Sequence, residues 1–280
     1  MIRLVKSLLR IVVGVAVAIP LVLYPLLYWF QDKLLFPLTG VSPEGLQWAR
    51  QTWPDREVMV TAPDGVLLHG WYLKPSQPLA KFPLLIYFGG NAEEITSFLI
   101  YKEYFLNWGI LTVNYRGYGL SEGKPTEKQL FADALFLYDR FAKQSAVDSH
   151  HIVVMGRSLG SGVAVYLASQ RPVAGVILVS PYDSITAIAQ EVYPYVPVSW
   201  LLKHPFDSLA LVSQINTPVL GLIAENDTLI SPEHSKKLLS AWKGPAHWVL
   251  IPNTNHIDIP EGKYYWENIQ AFLAQVLLHH

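Results

Sequence analysis

Gly156-Arg157-Ser158-Leu159-Gly160 decides the reading of this chain. The residues before it, His151-Ile152-Val153-Val154-Met155, are mostly apolar and read as a short buried strand. The residues after it, 159–170, are small and apolar and read as a helix. The pattern predicts a serine on a sharp strand-to-helix turn, its Oγ standing clear of its neighbours at the carboxyl end of a sheet. Glycines on both sides permit a strained turn and let the helix pack close to the strand. The plain alternative is a Gly-rich turn with a structurally satisfied serine, and the rest of the chain has to decide between them.

A serine hydroxyl is a poor nucleophile at neutral pH and needs a general base with a carboxylate to orient it. His256, in Asn253-Thr254-Asn255-His256-Ile257-Asp258, follows the strand-like run Trp248-Val249-Leu250-Ile251. Asp227, in Ala224-Glu225-Asn226-Asp227, follows the buried run 218–223. Both fall on loops after strands, where sites in open α/β sheets gather. Glu225 and Asp258 are the competing acids; Glu225 sits close to the strand end and Asp258 is placed to cap the loop. His69 and His247 lie in strand patterns, and His150 and His151 read as a solvated turn. No histidine has partners at metal-ligand spacing, so neither a metal nor another cofactor is expected.

A developing oxyanion needs two backbone N–H groups. Leu159, next to the serine, supplies one. The turn Gly89-Gly90-Asn91-Ala92, after the strand-like run 83–88, supplies the other from Asn91; Asn91 is also placed to cap a following helix. Strand patterns fall over 84–88, 110–115, 152–155, 176–179, 219–223 and 248–251. Helical patterns fall over 93–107, 127–144, 159–170, 232–242 and 262–278, with Ser231-Pro232 as an N-cap followed by proline. Residues 56–74 read as a hairpin around Asp64-Gly65. The alternation predicts an α/β chain with a mainly parallel, doubly wound sheet.

These residues resemble the α/β-hydrolase superfamily. Within it the chain is similar to the membrane-anchored group that includes eukaryotic protein-depalmitoylating serine hydrolases and bacterial relatives. The resemblance rests on Tyr87-Phe88-Gly89-Gly90-Asn91-Ala92, Asn114-Tyr115-Arg116-Gly117-Tyr118-Gly119-Leu120-Ser121-Glu122-Gly123, Gly156-Arg157-Ser158-Leu159-Gly160, Ser180-Pro181-Tyr182, Asp227 and His256. It implies a serine hydrolase of carboxylesterase or thioesterase type, cleaving acyl esters or thioesters through an acyl-enzyme. Ser158 would attack, His256 would shuttle the proton and Asp227 would orient the imidazole. It makes Arg116 an ion-pair anchor and Asp183 a structural residue. One departure stands out: the family usually reads His-Gly-Asn where this chain reads Gly89-Gly90-Asn91, and the absent imidazole normally braces the oxyanion loop. A catalytically silent scaffold or a serine peptidase on the same fold are the alternative readings.

The segment 182–207 interrupts the alternation and reads as a short cap over the site. Tyr182, Tyr193, Tyr195 and Trp200 are its candidate substrate-binding residues. At the other end, 11–30 is twenty residues without a charge, enough to cross about 30 Å as a helix. Arg3, Lys6 and Arg10 precede it, forming a basic flank over 1–10, and Tyr24, Tyr28 and Trp29 can form an interfacial belt. The expectation is a transmembrane signal-anchor with a cytoplasmic N-terminus and the catalytic domain across the membrane, periplasmic if bacterial. Ala16-Val17-Ala18 could pass as a cleavage site, but the apolar run continues well beyond it. An irregular lead-in over 31–55 then joins the anchor to one hydrolase domain, 56–280. Anchoring points to a lipid or acylated protein as substrate. The net charge of −1 comes with no basic cluster in the soluble part, which excludes nucleic acid as an expected partner. There is no cysteine, so disulfides and thiol chemistry are excluded.

Overall fold

The computed structural model describes residues 2–77 and 79–278, with side chains 2–5, 8–13 and 15–17 of the N-terminal helix outside the described set. Helix α1 (Ile2–Leu35) runs unbroken through Pro20 and Pro25. The lead-in contains a second helix, α2 (Pro43–Thr52), where the sequence suggested irregular chain. Ser42 caps it by accepting from the Gly45 N–H, with Pro43 in the first turn. That is the same Ser-Pro start signal as at Ser231-Pro232.

Strands β1 (Glu57–Thr61) and β2 (Leu67–Leu73) form the expected hairpin. Then follow β3 (Phe82–Phe88), a 3₁₀ segment over Ile95–Phe105, β4 (Gly109–Val113), α3 (Glu127–Phe141), β5 (Val147–Arg157) and α4 (Leu159–Gln170). β6 (Gly175–Val179) leads into two short helices, α5 (Ile185–Val192) and α6 (Val198–Leu201), and then α7 (Leu209–Val212). β7 (Val219–Ala224), α8 (Pro232–Ser240), β8 (Ala246–Ile251) and α9 (Tyr265–Leu278) complete the chain. The 3₁₀ segment replaces the α-helix expected over 93–107; Glu94, not Asn91, caps it. His150 and His151 lie inside β5, with His151 Nδ1 paired to Asp148 at 2.8 Å, and not in a solvated turn.

One eight-stranded sheet takes the order β1-β2-β4-β3-β5-β6-β7-β8. β1, β2 and β4 pair antiparallel, and every pair from β4 through β3 to β8 is parallel. The buried central strands are near-continuous apolar runs because both faces are covered. Leu84, Ile86 and Phe88 join a core with α3, α4 and α8, while Leu85 and Tyr87 join a second core with the 3₁₀ segment and α9. Each such fully buried aliphatic side chain contributes about 1.5–3 kcal/mol. The carboxyl ends of β3, β5, β7 and β8 therefore meet at one rigid edge, the place for a site in this topology.

Two expectations change here. Among the described residues no helix is long and apolar enough to cross a membrane, so the span read over 11–30 is not borne out; side chains 11–13 and 15–17 of that stretch lie outside the described residues. The carboxyl-terminal part of α1 instead docks on the segment after β6. Gln31 donates to the Leu201 carbonyl at 3.0 Å and accepts from the Lys203 N–H at 2.7 Å. Residues 182–207 thus pack against α1, in a groove shared by Leu27, Leu34, Ile185 and Tyr193.

Candidate active site

Ser158 occupies the turn between β5 and α4 with φ 50° and ψ −120°, a strained backbone for a residue with a Cβ. The flanking glycines make that turn possible by close approach. A Cβ on Gly156 would lie 2.2 Å from the Gly160 carbonyl oxygen, and one on Gly160 would lie 2.2 Å from that of Phe88. The helix therefore sits directly against two strands, and Ser158 stands at its amino end.

Asp227 lies in the loop after β7 and is buried. Its Oδ1 accepts from the Leu229 and Ile230 N–H groups at 3.0 and 2.8 Å. Its Oδ2 lies 2.7 Å from His256 Nδ1, and His256 Nε2 lies 2.9 Å from Ser158 Oγ. Burial alone would raise the Asp227 pKa, but the bonds from His256 and the Ile230 N–H outweigh it and hold it below the usual carboxylate value. An ionised Asp227 accepts from Nδ1–H, which leaves Nε2 as the acceptor for the serine hydroxyl. The two loops are tied together: the Asn226 N–H donates to the Thr254 carbonyl at 2.8 Å and the Asn253 N–H to Glu225 at 2.8 Å. Asp258 accepts from the Asn255 N–H at 2.6 Å. Both competing acids are therefore occupied in shaping the histidine loop.

The Gly89–Ala92 turn closes over the serine from β3. Gly90 comes nearest, since a Cβ there would lie 3.5 Å from Ser158 Cβ. Among the described residues, no acceptor takes the N–H of Asn91 or of Leu159. The Asn91 side chain is held away by the Tyr118 hydroxyl, which donates to its Oδ1 at 3.1 Å. Two unpaired amides thus flank a serine that already has a base and an orienting acid. Such an arrangement can transfer an acyl group.

The comparisons with known proteins concern the chain as a whole. The uncharacterized protein Rv2307c of Mycobacterium tuberculosis is 32% identical over 254 residues, covering 88% of this chain and 89% of its own. The alpha/beta hydrolase domain-containing protein WAV2 of Arabidopsis thaliana is 29% identical over 279 residues, covering 89% of each chain. A family described as Serine hydrolase matches residues 138–275. This chain belongs to the α/β-hydrolase superfamily of serine hydrolases. The acetyl xylan esterase of Paenibacillus sp. R4 shares the fold with a TM-score of 0.66 at 20% identity, over 88% of this chain and 98% of its own.

In this serine hydrolase a cavity of about 720 Å³ surrounds Ser158 and His256. Its apolar walls are Val41 and Trp48 from the lead-in, Ile100 from the 3₁₀ segment, and Leu229 and Ile257 from the acid and histidine loops. The segment 182–207 supplies none of its described lining, which corrects the substrate-binding residues read from sequence. Tyr182 is fully buried beneath the site and donates to the Leu159 carbonyl at 3.2 Å. Tyr193 lines the groove against α1. Tyr195 and Trp200 are 93% and 87% exposed on that same segment. Aromatic content alone could not say which way these side chains face. The Ser42-Pro43 start signal was the one clue that an ordered helix, α2, walls the pocket. Among the described residues no cluster of histidine and carboxylate side chains could hold a metal.

Proposed function

We propose that this serine hydrolase cleaves acyl esters or thioesters through a Ser158-His256-Asp227 triad and an acyl-enzyme. The observation that carries the proposal is the unbroken chain Ser158 Oγ, His256 Nε2, His256 Nδ1 and Asp227 Oδ2, with contacts of 2.9 and 2.7 Å. His256 takes the hydroxyl proton as Ser158 attacks, then gives it to the leaving group. Asp227 fixes the tautomer and stabilises the imidazolium. The amides of Leu159 and Asn91 hold the oxyanion, and water releases the acyl group with His256 again as base. The leaving group must depart within reach of His256 Nε2, beside Leu229 and Ile257. The wing of the cavity walled by Val41, Trp48 and Ile100 then takes the acyl chain.

The proposal also places the enzyme at a membrane, in the group that resembles protein depalmitoylases, with a lipid or acylated protein as substrate. The uncharged run over 11–30 supports this, as do Leu21, Val22 and Trp29, which are 69%, 62% and 74% exposed on α1. Sedimentation with membranes after carbonate washing tests the location. Hydrolysis of p-nitrophenyl esters and acyl thioesters of graded length, wild type against Ser158→Ala, tests the chemistry. Turnover that survives Ser158→Ala would overturn it and leave the scaffold reading.

A further inference from the structure

We propose that Glu93 is the positioning residue of the oxyanion loop, and that Arg157 couples it to the histidine loop. The inference rests on the triad reading above and adds how the site is held in register. It answers the absence of an imidazole at position 89. A Cβ built on Gly89 lies 3.4 Å from the Glu93 carboxyl carbon and 3.3 Å from Ile95 Cγ2. A side chain at 89 would thus start in tight contact with Ile95 and against Glu93.

Glu93 grips the loop at both ends of one residue. Its Oε2 accepts from the Gly90 N–H at 2.7 Å, and its own N–H donates to the Gly90 carbonyl at 3.3 Å. The Gly90 carbonyl shares a trans peptide plane with the Asn91 N–H, so the two point in opposite directions. Holding the carbonyl on Glu93 therefore turns the Asn91 N–H away from it and fixes where that donor aims. The Tyr115 hydroxyl secures the preceding carbonyl, that of Gly89, at 2.8 Å.

A carboxylate beside a developing oxyanion would oppose the reaction unless its charge were balanced. Here a neutral hydrogen-bond donor and one cation share that task. The buried Tyr87 hydroxyl donates to Glu93 Oε1 at 2.7 Å, and burial holds that phenol far above its usual pKa, so it stays a donor. Arg157 Nη1 lies 3.6 Å from Glu93 Oε2. The same guanidinium donates through Nη2 to the carbonyls of His256 and Ile257, both at 3.0 Å. Arg157 immediately precedes Ser158, so one side chain joins serine turn, oxyanion loop and histidine loop. A lysine carries its three N–H donors on a single nitrogen and lacks the planar fork that lets Nη1 face Glu93 while Nη2 reaches the two carbonyls.

The test is a kinetic comparison of Glu93→Ala, Glu93→Gln, Arg157→Lys, Gly89→His and the Gly89→His/Glu93→Ala pair on one short ester, with melting temperatures measured alongside. Loss of alignment by a fraction of an ångström to an ångström predicts that Glu93→Ala lowers kcat by about 10- to 100-fold with KM changed less than about three-fold. Glu93→Gln, which keeps one acceptor for Gly90, recovers part of that loss. Arg157→Lys also falls in kcat. Gly89→His alone is impaired by the crowding, and the pair exceeds the product of the two single effects. If Glu93→Ala does not fold, Glu93→Gln and Arg157→Lys carry the same comparison. A kcat within about three-fold of wild type in the folded variants, or losses confined to KM, overturns the proposal. Ser158→Ala run in parallel separates this failure from failure of the triad, because it abolishes turnover in either case if the triad is right.

Discussion

At the residue scale the proposed site uses some residues through their side chains and others through the backbone. As the proposed orienting acid, Asp227 would act through its carboxylate, so Asp227→Asn should fold normally and lose about 10⁴-fold in kcat, as loss of the orienting acid does in Ser-His-Asp enzymes. Burst and steady-state kinetics on a chromogenic ester would check this, and a loss under ten-fold would mean another acid serves His256. Asn91, as the proposed oxyanion donor, would act through its backbone. Asn91→Ala removes only the bond from the Tyr118 hydroxyl and should cost less than about ten-fold, whereas Asn91→Pro removes the N–H and should cost about 10²- to 10³-fold. Equal losses would show that the side chain matters as much as the amide. Ser158, Asp227 and His256, which the structure brings within hydrogen-bond distance of one another, could be singled out in the sequence because each follows a short apolar strand pattern, buried in β5 and β7 and mostly exposed in β8, in the order such sites require. Glu93 and Arg157 were not. A carboxylate three residues after Gly90 and an arginine beside the serine look like ordinary surface charges until the chain folds back on itself.

At the element scale, α2 and the 3₁₀ segment matter most. They wall one wing of the cavity, and an acyl chain seated there predicts that Ile100→Trp shifts preference toward acetyl esters by about ten-fold or more, the discrimination that a few methylenes in an apolar pocket support. Trp48→Ala should shift it the other way. A chain-length series of p-nitrophenyl esters reads both, and an unchanged profile in both variants would place the acyl chain elsewhere. The 3₁₀ segment also carries Lys102, whose ammonium donates to the Phe105 and Trp108 carbonyls at 3.0 and 3.3 Å. Burial pushes its pKa down from 10.5 to about 8. The folded state thus binds this proton more weakly than the unfolded chain, and this contribution to stability rises as pH climbs from about 8 to about 10.5. Denaturant titrations across that window should show a rise in wild type relative to Lys102→Met. Parallel curves would mean that the lysine keeps its charge. The strands were legible because their apolar runs are short and bounded by turns. The insertion after β6 was misread because aromatic residues fit a pocket wall and a helix-packing face equally well.

At the scale of the whole molecule, the parallel sheet and its carboxyl-end site follow from the strand and helix alternation visible in the sequence. The way the N-terminus is used does not. The uncharged run says that α1 is apolar, but only tertiary contacts show that its last turns belong to the hydrolase domain. Phe36 is buried against His204 and Phe206, with ring centroids 5.2 and 6.2 Å away, and Gln31 bonds to the chain around Leu201. Deleting residues 1–23 should therefore leave the melting temperature within a degree or two. Deleting 1–36 also removes a buried phenylalanine and should lower it by at least about 5 °C. Equal melting temperatures would detach α1 from the domain. The serine itself remains the centre of the account. The most direct measurement is covalent labelling by a fluorophosphonate probe, with the adduct mapped by mass spectrometry in wild type, Ser158→Ala and His256→Ala. The account predicts an adduct on Ser158 in wild type, none in Ser158→Ala and strongly slowed labelling in His256→Ala. A folded wild-type protein that takes no probe, or takes it at another residue, would contradict it.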